Sequence, residues 1–222
     1  MLCSTCYLAA ANGGCCRKCF QSGARSIRTG RSGANRVREC VCLGRQYKNQ
    51  VGMARKKQGR NACSTLQIVD AQRVKNSDTA CQKGYDAAKK VSGIKRHLAV
   101  DRQGFTHAVA VTTAEITDRK GALFALQQEQ TELRQVQCVQ CESGYVATPL
   151  SQGVRDILAK HVKVELAKRT EPASFKVMPK RWSVARSMAW WKKHCRLSKN
   201  WEHRRYTRVQ CMRLAFRTLL LR

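Results

Sequence analysis

Short apolar segments alternate with amphipathic segments from about residue 61 onward, and this order limits the possible folds more than any other feature. Two apolar segments flank a four-residue turn ending in Gly104, so they predict a β-hairpin in which this glycine supplies a positive φ. The other strands and helices follow from their hydrophobic periodicity. Strands are predicted at 65–71, 94–100, 105–112, 136–142 and 162–168, and helices at 121–133, 151–162, 181–195 and 203–221.

The elements follow one another as strand, hairpin of two strands, helix, strand, helix, strand, helix. This order predicts an α/β fold: a mixed sheet flanked by helices, with an antiparallel hairpin at one edge. It is also the order in a ribonuclease H-like fold, where acids on central strands and on a late helix converge on metal ions. Asp118 precedes the first of these helices and is predicted to be its N-cap.

Positive charge is concentrated at the two ends of the chain. Lys and Arg number 43 against 14 Asp and Glu, a formal net charge of +29. Residues 1–60 contain one acid, Glu39, residues 173–222 contain one, Glu202, and the other 12 lie in the middle. The middle therefore has an ordinary globular composition, and the two basic ends indicate a polyanionic partner such as nucleic acid.

Residues 1–60 form a basic segment rich in cysteine, glycine and arginine, and we predict a domain boundary near residue 60. Residues 21–38 are predicted to be loop or disordered. Cys3, Cys6, Cys16 and Cys19 have the spacing of two CxxC pairs, which leaves a zinc site open as the less favoured alternative to reduced thiols. The start of the chain lacks the basic and long apolar regions of a signal peptide, and we find no transmembrane segment, so we expect a cytoplasmic location.

Two acids end predicted strands and are candidate metal ligands. Asp70 lies at the end of the first strand and Glu142 at the end of the fourth. Ligands in α/β sheets bind beyond the carboxyl ends of strands, and Mg²⁺ prefers carboxylate oxygens. Each acid taken alone is more often a capping or loop-facing residue, but together in a basic chain they make a metal site about as well supported as that alternative.

Several segments of the chain resemble motifs of bacterial insertion-sequence transposases of the DDE superfamily. Residues 68–75 (IVDAQRVK) resemble the first-aspartate motif, and residues 141–150 (CESGYVATPL) resemble the second-acid motif. Residues 82–104, 112–123 and 175–202 are similar to the intervening and last-helix regions, so the resemblance covers about residues 62–222. It implies a ribonuclease H-like catalytic domain that cleaves transposon ends hydrolytically and joins the freed 3′-hydroxyl to target DNA, with Mg²⁺ or Mn²⁺ as cofactor.

The resemblance assigns the catalytic positions, and one of them lacks an acid. Asp70 occupies the first acid position and Glu142 the second, where the family usually has aspartate. The third acid belongs to a helix in which Arg is followed after three residues by Glu and after six more by Lys. Arg181 and Lys192 fit this pattern, but Ala185 stands at the glutamate position. We therefore expect a copy that binds DNA and cleaves it poorly, with residues 1–60 a truncated or degraded DNA-binding region.

The expected partner is double-stranded DNA, both the terminal inverted repeats and the target, with a homodimer forming in a synaptic complex. The alternative is a non-enzymatic, basic nucleic-acid-binding protein stabilised by zinc. Candidate phosphate contacts are basic residues that follow the GYDA turn at residues 84–87 and basic residues of the last helices. They are Lys89, Lys90, Lys95, Arg96, Arg181, Lys192, Arg204 and Arg205.

Overall fold

The computed structural model describes residues 33–142, 145, 147–167 and 181–220, and these residues form a helix-flanked sheet. The long N-terminal helix packs against the C-terminal helix. Six strands are present: β1 (Leu66–Lys75), β2 (Gly84–Asp86), β3 (Val91–Val100), β4 (Thr106–Thr113), β5 (Cys138–Glu142) and β6 (Lys163–Ala167). The helices are α1 (Gly33–Lys57), α2 (Asp118–Gln128), α3 (Ala147–Ile157), α4 (Arg181–Lys192), α5 (Cys195–Ser198) and α6 (Arg205–Leu220).

The sheet is mixed, with β1 at its centre. β1 pairs antiparallel with β3 on one side and parallel with β5 on the other, and β6 extends the sheet parallel to β5. On the other side, β4 and the short β2 both pair antiparallel with β3. The prediction of a mixed α/β sheet with an antiparallel hairpin and flanking helices is confirmed.

The hairpin between β3 and β4 forms as the sequence predicts. Gly104 has a φ of +86°, a conformation that a side chain would strain, and its N–H donates to the carbonyl of Asp101 at 3.0 Å. The predicted cap of α2 is wrong by one residue. Thr117 is the N-cap, because its hydroxyl accepts from the N–H of Lys120, and Asp118 is the first helical residue.

Two apolar cores lie on opposite faces of the sheet. One core contains Ile68, Val74 and Leu98 from the strands, covered by side chains of α1, α4, α5 and α6. The other contains Val69 and Ala99, covered by α2 and α3. Residues of β1 therefore alternate between the two cores, as expected for a strand that is covered on both sides.

Helix α1 is an element that the sequence analysis did not predict. It begins at Gly33, so the loop prediction for 21–38 is wrong at residues 33–38; residues 21–32 lie outside the described residues, as do Cys3, Cys6, Cys16 and Cys19. Tyr47 and Val51 are buried in the core under α6, and the Tyr47 hydroxyl donates to the carbonyl of Thr106 at 2.9 Å. The last turn of α1 is joined to the hairpin by an ion pair between Arg55 and Asp101.

The described elements differ from the predicted ones mainly at their ends. β1 continues to Lys75, beyond the predicted end at residue 71, and β3 begins at Val91, before the predicted start at residue 94. Helix α2 ends at Gln128 and α4 at Lys192. In the described part of the chain, no helix combines the length and hydropathy required to span a membrane.

Candidate active site

Asp70 lies inside β1 rather than at its end, at the point where the described ladder between β1 and β5 stops. The last paired residues of that ladder are Val69 and Cys141, whereas β1 continues alongside β3, where Asp70 is paired with Leu98. The alternation of β1 puts Asp70 on the same face as Ile68 and Val74, which contact the core under α4. Its half-buried carboxylate accepts the N–H of Ala71 at 2.7 Å.

Glu142 occupies the position in β5 that corresponds to Asp70 in β1. It follows Cys141 directly, as Asp70 follows Val69, and its backbone pairs with Ala167 of β6. Neighbouring strands are about 4.8 Å apart, so the backbones of these two acidic residues lie side by side at the centre of the sheet. The two positions that the sequence singles out are thus brought together by strand register.

Helix α4 is fixed firmly over the hairpin on the face of the sheet that carries Asp70. The hydroxyl of Ser183 donates to the carbonyl of Arg102 at 2.7 Å, and that of Ser187 donates to the carbonyl of Gly104 at 2.8 Å. The Arg186 guanidinium donates to the carbonyl of Gln103. The helix also packs against β1 and β3. These three side chains therefore fix the position of α4 against the hairpin.

Ala185 is exposed on α4, so the third predicted acid position is accessible but carries only a methyl group. Met188, three residues further along α4, is by contrast buried in the core. The difference arises because α4 turns its Val184, Met188 and Trp191 edge toward the sheet.

The residue types at the two strand positions fit a divalent cation in their chemistry. Asp70 and Glu142 are carboxylates, the hard-oxygen type of donor that Mg²⁺ or Mn²⁺ prefers. A methyl group at Ala185 offers no ligand. Over the described ranges, 33–142, 145, 147–167 and 181–220, no group of three or more His, Cys, Asp or Glu side chains is arranged to hold a metal ion.

Four of the predicted DNA contacts have exposed side chains on the turn between β2 and β3 and at the start of α6. Lys89 and Lys90 belong to the turn, where Lys90 has a φ of +52°. Arg204 and Arg205 lie at the start of α6, and the Arg204 guanidinium is 6.0 Å from the centre of the Tyr206 ring. Lys192, at the end of α4, is also exposed, whereas Arg181 is placed only by its backbone as the first residue of α4.

Lys95 and Arg96 are buried and are held by partners inside the domain. The Lys95 ammonium lies 3.1 Å from Asp86 and 3.2 Å from Asp118. Arg96 is 1% exposed, and its guanidinium donates to the carbonyl of Leu197. Neither side chain reaches the surface, so we leave both out of the DNA-contacting set. Strand alternation explains the placement, because consecutive residues of a strand covered on both faces are both buried.

A partly buried charge network joins β1, β2, β3 and the start of α2, and it was not predicted from the sequence. Arg73 donates to Asp86 at 2.5 Å and to Asp118 at 3.1 Å, and Lys95 contacts the same two carboxylates. The hydrogen bond from Arg73 holds the pKa of Asp86 well below its ordinary value. Two cations thus balance two anions where β1, β2, β3 and the start of α2 meet. Cationic residues inside an otherwise apolar strand are the signal that could have indicated such partners.

The described residues thus define an α/β domain with two acidic residues, Asp70 and Glu142, on adjacent central strands, and with α4 packed on the face of the sheet that carries Asp70. A family model described as the transposase DDE domain matches residues 61–221. The chain belongs to this transposase DDE family.

Other comparisons add little to the family match. The search of curated proteins gives no match. A solved structure that is similar is the piggyBac transposase synaptic complex with hairpin DNA. It aligns at a TM-score of 0.32 and 13% identity, over 52% of this chain and 25% of that chain. This chain therefore covers about a quarter of the length of that protein.

Proposed function

We propose that this protein binds DNA as a transposase whose ribonuclease H-like domain is catalytically impaired. The single observation that supports the proposal is the strand register, in which Asp70 and Glu142 directly follow Val69 and Cys141, the last residues paired between β1 and β5. The strand order β4-β3-β1-β5-β6 supports the ribonuclease H-like assignment. The family supports cleavage at transposon ends and strand transfer as the ancestral reaction.

Asp70 and Glu142 would hold the Mg²⁺ or Mn²⁺ ion that this reaction requires. When bound, the ion polarises the scissile phosphate and neutralises part of its charge. The chain's own contribution would be to hold the backbones of both residues on neighbouring strands of a buried sheet, so that the site needs little reorganisation. Glu142 is one methylene longer than the aspartate usual in the family, which moves its carboxylate farther from the β5 backbone.

Ala185 removes one of the three expected carboxylates. By analogy with the loss of one stabilising group in other active sites, the missing ligand costs about 2.7–4 kcal/mol of transition-state stabilisation, or about 10²–10³ in rate. DNA binding does not depend on this carboxylate, because phosphate contacts come from basic side chains. The protein therefore keeps affinity for DNA and loses most of its cleavage rate.

Introducing the missing acid tests the proposal. Ala185→Glu should raise Mg²⁺- or Mn²⁺-dependent nicking of duplex DNA by about 10²–10³-fold over the unmodified protein. Ala189→Glu is the matched control, because Ala189 is also exposed on α4, four residues further along. Asp70→Asn in the Ala185→Glu background should abolish the gain. Equal nicking rates for the unmodified protein and Ala185→Glu would refute the impairment.

The substrate in this proposal is duplex DNA, at terminal inverted repeats and target sites, held by a homodimer in a synaptic complex. The exposed Lys89, Lys90, Lys192, Arg204 and Arg205 support it, with Arg181 at the head of α4. These contacts position the duplex without reading its sequence. We place the protein in the bacterial cytoplasm, associated with the nucleoid.

A non-enzymatic role is the second candidate, and the methyl group at the third acid position favours it. In that case the protein acts only as a basic nucleic-acid-binding protein. A zinc site at Cys3, Cys6, Cys16 and Cys19 would belong to this alternative. Two measurements on the purified protein separate the candidates. Stoichiometric zinc in a metal analysis supports the non-enzymatic protein, whereas Mg²⁺-dependent nicking of DNA, even at a low rate, supports the transposase.

A further inference from the structure

A cysteine and a histidine meet on the surface outside the candidate active site. The Cys81 sulfur lies 2.9 Å from His203 Nδ1, although the two residues are 122 positions apart in the sequence. Cys81 belongs to the segment between β1 and β2, and His203 to the segment between α5 and α6. Both side chains are exposed, so reagents in solution can reach the pair.

Backbone pairing holds the two segments together independently of this side-chain contact. Asn76 and Asn200 form a parallel β-bridge, and their side-chain amides are hydrogen-bonded at 2.9 Å. The N–H of Asn200 donates to the carbonyl of Lys75 at 2.9 Å, and the N–H of Ser77 donates to the carbonyl of Asn200 at 3.0 Å. The cysteine and the histidine are thus positioned by a built junction.

We propose that Cys81 is a site of thiol–disulfide exchange with anionic low-molecular-weight disulfides, and that His203 is its base. A nucleophile within hydrogen-bond reach of a base is the arrangement that activates thiols. The thiol proton passes to His203 Nδ1, and the Cys81 sulfur attacks one sulfur of the disulfide. The disulfide bond of the reagent breaks as the new one forms, and the departing thiolate takes the proton from the imidazolium. One thiol and one disulfide are consumed, and one of each is produced.

The charges near the pair favour an anionic reagent. Lys83, Arg204 and Arg205 lie within two residues of Cys81 or His203 and are exposed. Glu202 is adjacent to His203, but it is buried and paired with Arg196 at 2.6 Å, so it does not offset these cations. Asp78 is the exposed acid of the same segment, three residues before Cys81. Reactive cysteines occur in such partly exposed, electropositive surroundings.

Other cysteines of the described residues provide internal references. Burial raises the pKa of the Cys141 thiol to about 11. The pKa of the Cys211 thiol is also raised to about 11, mainly by burial and to a lesser extent by the charge of Glu202. These two thiols should react slowly. Cys195 is exposed like Cys81 and provides the reference for an accessible thiol.

The test is the modification rate at each cysteine of the full, reduced chain. The protein is exposed briefly to glutathione disulfide, quenched with acid, and mapped by mass spectrometry of its peptides. Cys81 should react at least about tenfold faster than Cys195, in line with thiols activated by a neighbouring imidazole. His203→Asn should bring Cys81 down to the rate of Cys195, and His161→Asn, at another exposed histidine, should leave it unchanged.

A second measurement tests the expected preference for anionic disulfides. Glutathione disulfide, which is anionic, should modify Cys81 faster than the cationic disulfide cystamine, and high salt should narrow the difference. Equal rates at Cys81 and Cys195 in the unmodified chain would overturn the proposal whether or not His203→Asn folds. If folded His203→Asn keeps a fast rate at Cys81, His203 is excluded as the base. If Cys81 reacts faster with cystamine, anionic disulfides are excluded as the preferred reagents.

Discussion

Replacing Tyr47 by alanine tests whether α1 belongs to the same folding unit as the transposase domain. The family match begins at residue 61, and the composition of the chain also suggests a boundary near residue 60. In the structure, however, Tyr47 is 4% exposed in the core and is 6.5 Å from Phe216 of α6, ring centre to ring centre. If α1 is integral to the domain, removal of this ring must destabilise the domain itself.

The expected loss follows from what Tyr47 contacts. Removal of a buried aromatic ring costs about 3–5 kcal/mol, because it leaves a cavity as well as losing apolar burial. Tyr47→Phe keeps the ring and removes only the hydrogen bond to the carbonyl of Thr106, 2.9 Å long, so it should cost about 0.5–1.5 kcal/mol. In a chain of this length, the alanine variant should unfold roughly 6–20 °C lower than the unmodified protein.

Tryptophan fluorescence provides the assay, because Trp191 lies in the same core as Tyr47 and is 5.1 Å from Phe216. Thermal and urea unfolding should both shift in Tyr47→Ala, with a smaller shift in Tyr47→Phe. Met53→Ala is the control on the same helix, since Met53 is 56% exposed and should change little. If Tyr47→Ala unfolds at the midpoint of the unmodified protein, α1 is not part of this unit and the boundary near residue 60 stands.

Three further predictions concern packing, pH and salt. A Cβ at Gly121 would lie 2.0 Å from His97 Nε2, so Gly121→Ala should lower the free energy of unfolding by about 1–3 kcal/mol, whereas Gly52→Ala, with only ordinary contacts, should not. Burial lowers the pKa of His97 to about 4, so unfolding alone lets it take up a proton below pH 6.5. Urea unfolding should therefore show stability falling by up to about 1.4 kcal/mol per pH unit between pH 6.5 and 4, and His97→Gln should flatten this fall. Lys89→Ala with Lys90→Ala should reduce the slope of log affinity for DNA against log salt by about 2, and an unchanged slope would exclude both as phosphate contacts.

The order of strands and helices was predictable because it depends on local periodicity. Residues 94–100 and 105–112 form the hairpin strands within a few residues of the expected ends, and Gly104 makes the turn. Helix α1 was not predictable in this way. It has no acid in its first turn, and Gly44 and Gly52 interrupt it. Its stability comes from packing against α6, which local sequence does not reveal.

Local sequence also did not reveal which charged residues are buried. Lys95 and Arg96 resemble a surface phosphate-binding pair in the sequence, but Lys95 is paired with Asp86 and Asp118, and Arg96 is hydrogen-bonded to the carbonyl of Leu197. Leu197 is 101 positions from Arg96. A buried cation is stable only when its partners are in place, and those partners are set by tertiary structure. Sequence alone therefore could not separate these two residues from the exposed Lys89 and Lys90.

The contacts that hold helix α4 in place do not depend on residue 185. Ser183 and Ser187 bind the hairpin carbonyls, and Trp191 anchors α4 in the core. None of these contacts involves residue 185, so replacing a glutamate there by alanine would not disturb the helix, and alanine has the higher helix propensity. On the proposed function, a carboxylate at residue 185 would thus matter little for folding and much for catalysis. A substitution at this exposed position would then change the cleavage rate while the fold of the domain stays intact.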